Sequence, residues 1–241
     1  MNTKLTKQQE KYSKSNSILV YKDLVCSGGN ILDFFYYEFV TSLFSFIPGL
    51  IGLLSRLFSF KFLFKKSNAK SYGKSMIIRG GKRITINKGV ILDDFSVLDA
   101  RGESALIDID NNVFIGRGSA IVAKDAQIKL HQGVNISSDC RIASQSKVEI
   151  GESTLIGAYC YIGPGNHTLG KVGESIISNE MDIKDGVSIG KNSWLGARVT
   201  VLDGVKIGEG VVIGAHSLVT TDIADNCIAA GVPAKVIKKR V

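Results

Sequence analysis

Proline is nearly absent from the chain, with three residues in 241. Tryptophan occurs once, aromatics make up 8%, and the four cysteines, Cys26, Cys140, Cys160 and Cys227, form no CxxC pair. The scarcity of proline, beside 26 glycines, excludes a collagen-like or proline-rich disordered chain. The cysteine spacing excludes a zinc ribbon and gives no disulfide framework, so a reducing compartment is expected. No secretory leader is expected either, because about thirty mostly polar residues with Lys4, Lys7, Lys11 and Lys14 precede the first long apolar run. The reading is therefore of a cytoplasmic protein. Its three histidines, His131, His167 and His216, include no closely spaced pair, and they fall at different positions of the repeat described below, which argues against a metal centre.

What is present is unevenly distributed. The net charge is +8, yet residues 61–88 hold nine Lys or Arg and no acid, and residues 235–240 hold four more. The remaining 17 basic residues face 22 acidic ones, so the body is mildly acidic and the positive charge is two local patches. Beyond residue 64 the first patch carries Tyr72 as its one aromatic, which speaks against nucleic acid as a partner.

Residues 1–30 are polar and end in Ser27-Gly-Gly-Asn30, predicting a loosely ordered tail. Residues 31–70 form an apolar then basic segment. Its uncharged core, 39–55, is 17 residues long and is broken by Pro48-Gly49, which predicts two short helices over roughly 31–46 and 50–60 rather than one spanning helix. Such a segment can lie on an anionic membrane, since lysines beside an apolar helix are attracted to acidic lipid, or it can cap the end of the core.

From about residue 76 a six-residue period takes over. Aliphatic residues recur at Ile183, Ile189, Leu195, Val201, Ile207, Ile213 and Val219, with Gly next at 190, 196, 208 and 214 and a small or β-branched residue at the fifth position. Offset frames run through Ile86, Leu92 and Leu98, through Ile109, Ile115 and Ile121, through Leu130, Ile136 and Ile142, and through Ile150, Ile156 and Ile162. No helix has this period. A short strand followed by a corner, three times per coil, does, and stacked coils then form an all-β solenoid of parallel strands. Six coils of 18 residues are expected, about 29 Å long. Cys140 and Cys160 fall on the small inward position, as buried apolar residues. The frame fails over 164–182, predicting a loop, and a solenoid tolerates an excursion of that length mainly where it serves function.

Three stretches carry a family resemblance: Tyr159-Cys-Tyr-Ile-Gly-Pro-Gly-Asn-His167, Val187-Ser-Ile-Gly-Lys-Asn-Ser-Trp-Leu-Gly-Ala197 and Gly231-Val-Pro-Ala-Lys-Val-Ile237. They resemble the hexapeptide-repeat acyltransferases, which implies a left-handed parallel β-helix over 76–241. Asp93, Asp94 and Leu98-Asp-Ala-Arg-Gly102 are similar to the branch that O-acetylates cell-surface polysaccharide. The resemblance implies His167 as general base, Asn166 and Tyr161 as substrate-binding residues, and acetyl-CoA as donor, with no metal. The pantetheine arm would lie along Trp194, Gly196, Ala197 and Ala215, and the phosphates near Lys235 and Lys238. It further implies a homotrimer and a saccharide acceptor, which the apolar segment makes a candidate for lipid linkage. Acyl transfer to a hydroxyl needs a base working near neutral pH, which imidazole supplies. The competing expectations are N-acylation of a nucleotide-linked amino sugar and a non-enzymatic scaffold.

Overall fold

The structure, a computed structural model, describes residues 13, 16–27, 29–163, 165–172, 179 and 181–241, with only the backbone described for Asn166 and His167. The chain winds through three sheets of seven, nine and seven strands among the described residues, parallel except for the closing strand of the second, joined edge to edge as the faces of a triangular prism. Face 1 begins with Lys66–Ser67, face 2 with Ser71–Tyr72 and face 3 with Ile77–Arg79. Each face receives one strand per coil, which makes about seven coils, one more than the period alone suggested. The additional coil is the first. Lysines 66, 70 and 74, expected to follow a helix, lie on it, so the solenoid starts ten residues before the repeat becomes recognisable.

The aliphatic ladders are what the period requires. Ile86, Ile109, Leu130, Ile150, Ile189 and Ile207 line one inner wall and are buried to 2% exposure or less. Ile189 pairs with Ile207, 18 residues on, whereas Ile86 pairs with Ile109 and Leu130 with Ile150, at spacings of 23 and 20. The extra residues all fall at the corner from face 3 to face 1, which explains the offset frames. Ile183, read from sequence as inward, is 47% exposed, so the ladder resumes at Val187 and Ile189; Ile177 lies outside the described residues.

The glycine after each aliphatic does something other than turn the chain. Only the residue two positions later has positive φ: Gly118 after Gly116, Asn192 after Gly190, Arg198 after Gly196. Glycine is needed at the earlier position because the next coil passes so close. A Cβ on Gly190 would stand 2.5 Å from the nitrogen of Glu209. Small polar residues on the inner wall then bond coil to coil. Thr154 donates to the carbonyl of Gly190 at 3.0 Å and Ser193 to that of Gly208 at 3.0 Å, while the Cys140 and Cys160 thiols donate to Gly157 and Gly196 at 3.1 and 3.2 Å. The neighbouring Cys140 sulfur, together with burial, holds the Cys160 thiol above its ordinary range, so it stays protonated.

Three helices close the first coil: α1 (Ser17–Val25), α2 (Ile31–Phe44) and α3 (Gly49–Ser59). The first replaces the expected loose tail over its length. Asn16 caps it by accepting from the nitrogen of Ile18, and buried Val25 accepts from Gly80 of the first coil at 3.1 Å, contacts made only once the solenoid exists. Asn30 and Asp33 form a capping box on α2, and Pro48 stands at the start of α3. Buried Arg56 donates to the carbonyls of Tyr72, Ile47 and Phe44 at 2.9, 2.8 and 3.2 Å, tying both helices to the coil.

Candidate functional site

The excursion begins on face 3 of the fifth coil, where Tyr161–Ile162 is the last regular strand. Ile162 is buried, while Tyr161 is 37% exposed and lays its ring against Gly163. A Cβ at 163 would overlap the tyrosine ring, so the ring lies in the space that glycine leaves free where the chain departs from the coil. The root of the excursion is a short antiparallel pair, with Asn166 opposite Asp182 and His167 opposite Met181. The backbone of the expected base and of one expected substrate-binding residue is thereby fixed; both side chains lie outside the described residues. Three carboxylates, Glu174, Glu180 and Asp182, are near enough in sequence to orient the His167 imidazole; Glu174 and Glu180 lie outside the described residues, and exposed Asp182 sits across the pair.

Asp203, which nothing in the sequence singled out, secures the returning strand. It is 7% exposed and accepts from the backbone nitrogens of Lys184 at 2.8 Å and Gly204 at 3.0 Å. A Cβ on Gly165 would stand 2.2 Å from the carbonyl of Asp182 and 3.1 Å from the Asp203 carboxylate, so the two arms and the next coil are in tight contact. The signal was an Asp-Gly corner, too common to be informative by itself.

The residues expected to hold the donor lie elsewhere on the prism. Trp194, 51% exposed, belongs to face 2, in a cross-strand row through Leu155, Trp194, Val212, Ile228 and Lys238. Three strand spacings separate Trp194 from Lys238, about 14 Å. Gly196, Ala197 and Ala215 form the adjoining corner between faces 2 and 3. Gly196 is buried, because a Cβ there would stand 2.6 Å from the nitrogen of Ala215, and both alanines are exposed. Over two successive coils the corner therefore carries nothing larger than a methyl at these positions, a shallow slot beside an exposed indole. Lys235 and Lys238 are exposed on the closing strand Ala234–Lys239, but Arg240 donates to the Gly210 carbonyl at 2.8 Å and holds the end of the chain in place.

The same corner has a second distinguishing property. Between faces 1 and 2 the positive-φ residues are Gly89, Asn112, Gly133, Ser153, Asn192, Gly210 and Asn226, all small or αL-tolerant. Between faces 2 and 3 they include Phe95, Tyr159, Arg198 and His216 at φ near 60°. The guanidinium of Arg198 lies 5.3 Å from the Tyr159 ring centroid. The remaining positive-φ residues of this corner are Ser75, Gly118 and Asp139, so the larger side chains, each disfavoured in that conformation by about 1–2 kcal/mol, share the corner with tolerant ones.

Within the chain the two groups do not meet. The His167 strand emerges at the corner from face 3 to face 1, whereas Trp194, Gly196, Ala197 and Ala215 occupy face 2 and the corner from face 2 to face 3. The acidic motif that resembled the polysaccharide branch is farther still, on the first two coils. Asp94 accepts from the nitrogen of Lys74 at 2.8 Å, and buried Asp99 pairs with Arg101 at 2.6 Å and Arg79 at 3.7 Å. His131, on face 1, bonds Glu149 at 2.8 Å, and His216 is an exposed corner residue. Among the described residues no group of three His, Cys, Asp or Glu could hold a metal ion.

Residues 186–221 match the family described as bacterial transferase hexapeptide, six repeats. A Mycobacterium tuberculosis protein named as an acetyltransferase is 33% identical over 143 residues, 59% of this chain and 47% of that protein. An Escherichia coli K12 protein named as a lipopolysaccharide biosynthesis O-acetyl transferase is 42% identical over 112 residues, 44% of this chain and 57% of that one. The chain thus spans about half the length of these curated relatives. Among solved structures, a polysialic acid O-acetyltransferase superposes with a TM-score of 0.55 at 22% identity, covering 73% of this chain and 81% of that one, a likeness of fold. The coils over residues 186–221 match hexapeptide repeats of the bacterial transferase type, and the fold is that of a left-handed parallel β-helix.

Proposed function

We propose that the chain is an O-acetyltransferase that moves an acetyl group from acetyl-CoA to a sugar hydroxyl of a cell-surface polysaccharide or its precursor. The observation that carries this reading is the His167 strand, held in an antiparallel pair at the root of the one long excursion from an otherwise continuous ladder. The names of the sequence relatives, both acetyl transferases and one of them acting in lipopolysaccharide biosynthesis, support the same chemistry.

The chemistry asks little of the protein. The imidazole of His167 takes the proton of the acceptor hydroxyl as its oxygen attacks the thioester carbonyl, and returns that proton to the departing thiolate. In this reading Tyr161 and Asn166, at the mouth of the excursion, orient the sugar. The corner of Gly196, Ala197 and Ala215 fits an extended thioester arm, because any larger side chain there would fill the slot, and Lys235 and Lys238 offer cations to the phosphates at its far end. Since loop and slot lie on different corners, one protomer supplies the base and a neighbour the donor slot, which a ring of three copies provides.

His167→Ala is the test, read as thiol release from acetyl-CoA with mass-spectrometric identification of the acetylated sugar. Loss of a general base lowers the rate by about 10² to 10⁴, with an unchanged circular dichroism spectrum. Activity within about threefold of wild type overturns His167 as the base, and acetyl found on an amine rather than a hydroxyl assigns N-acylation instead.

A further inference from the structure

The three helices bury one side and leave the other bare. Inward, Val40, Phe60, Leu63 and Phe64 join the core of the first coil. Outward, α2 presents Leu32, Phe35 and Phe39, exposed by 74, 63 and 58%, one helical face continued by Phe46. The outer face of α3 presents Leu50, Ile51, Leu54 and Phe58, each more than half exposed. Of 28 exposed large hydrophobics among the described residues, 14 lie between positions 18 and 62, less than a fifth of the chain. Capping the coil accounts for the inner side only; this outer face is a concentrated apolar surface on which no described residue packs.

Its border decides what it fits. Residues 31–64 contain two acids, and both are occupied: Asp33 pairs with Lys82 at 3.0 Å, and Glu38 accepts from the Tyr21 hydroxyl at 2.8 Å. The edge is cationic. The ammonium of Lys61 lies 4.9 Å from the ring centroid of Phe62 and 5.7 Å from that of Phe58, and exposed Lys65, Lys66 and Lys70 follow. A second copy of the same face would oppose these lysines with lysines, whereas an acidic lipid surface complements them. Spanning is excluded for these helices: α2 and α3 are about 21 and 17 Å long, against a hydrocarbon core of about 30 Å, and no described helix is long and apolar enough to cross a membrane.

We infer that the outer face of α2 and α3 docks the protein in the interfacial layer of an anionic lipid bilayer, with the aromatic and aliphatic side chains among the acyl chains and Lys61, Lys65, Lys66 and Lys70 on the headgroups. Long lysine stems beside exposed phenylalanines suit that boundary, where the stem lies in apolar surroundings and the ammonium in water.

The test uses the full chain, with neither acyl donor nor acceptor present, so its outcome is separate from that of the proposed chemistry. Vesicles of equal parts phosphatidylglycerol and phosphatidylcholine should sediment the protein at low salt, and phosphatidylcholine alone should do so far less. Leu54→Ser combined with Phe58→Ser, checked for a native circular dichroism spectrum, should weaken binding at least about tenfold. Lys61→Gln combined with Lys65→Gln should weaken binding to the anionic vesicles by about tenfold or more and flatten its salt dependence. If the apolar variant is misfolded, the lysine variant carries the test alone. The inference is overturned if wild type stays in the supernatant with anionic vesicles at low salt, or if the folded variants bind as wild type does. Self-association abolished by the apolar variant, without lipid binding, assigns the face to a second copy and overturns it equally.

Discussion

Gly190 carries no unusual dihedral, yet it is among the least replaceable residues of the ladder. A methyl there would meet the nitrogen of Glu209 and the carbonyl carbon of Gly208, both at 2.5 Å, and backbone cannot move aside without separating two coils. Gly190→Ala should therefore cost about 1–3 kcal/mol, as other overpacked sites do. Asn192→Ala, at φ 55°, should cost about 1 kcal/mol through its dihedral alone, with no change in coil spacing. Denaturant midpoints of the two variants measure both, and a smaller loss for Gly190→Ala than for Asn192→Ala would contradict the stacking argument.

At the scale of the element, parallel strands set like residues side by side, so a face survives only if charges alternate along its rows. Asp108, Lys129 and Glu149 lie in register on three successive strands of face 1. Lys129 bonds Asp108 and Asp110 at 2.6 and 2.8 Å, while Glu149 accepts from Lys147 at 2.6 Å and His131 at 2.8 Å. The Lys147 ammonium, then His131, hold the Glu149 carboxyl below the usual carboxylate range. A depressed folded pKa means that the pair stabilises at neutral pH and that this is lost as pH falls below about 4.3, the ordinary glutamate value, through the lower folded one. Because Glu149 and His131 are about one third exposed and Lys147 more than half, the contribution is under about 1 kcal/mol. Glu149→Gln should therefore be slightly less stable than wild type at pH 7 and equal to it near pH 3, as read from urea unfolding. A stability gap that widens in acid would reverse the sign and refute this assignment.

For the whole molecule, the separation of the His167 strand from the Trp194 slot leads to a test of assembly. Mixed oligomers of His167→Ala and Trp194→Ala chains, each nearly inactive alone, should regain activity, because some interfaces then pair an intact base with an intact slot. In a trimer with sites between neighbours, about a quarter of wild-type activity per site is the upper expectation from random mixing. Light scattering fixes the mass in the same sample. A monomer of full activity, or no recovery on mixing and refolding, would locate base and slot on one chain.

The sequence by itself determined the coil. A six-residue period of aliphatics with glycine beside them admits one arrangement, because the side chains of each ladder must face a shared interior and each glycine must face the backbone of the next coil. The break in the frame after Ile162 and the division of the apolar segment at Pro48 were legible too, since both are interruptions of a local pattern. Tertiary structure alone decided the rest. The first coil, Lys66–Ser67 and Ser71–Tyr72, has no readable period because the helices, rather than another coil, cover its inner edge. α1 is a helix because Val25 has a solenoid to pack on. Asp203 became visible at the root of the excursion only when residues 184 and 203 were brought together by the turn of the coil. Which faces the loop and the slot occupy depends on the summed lengths of the corners, a sum that no local window of the sequence contains.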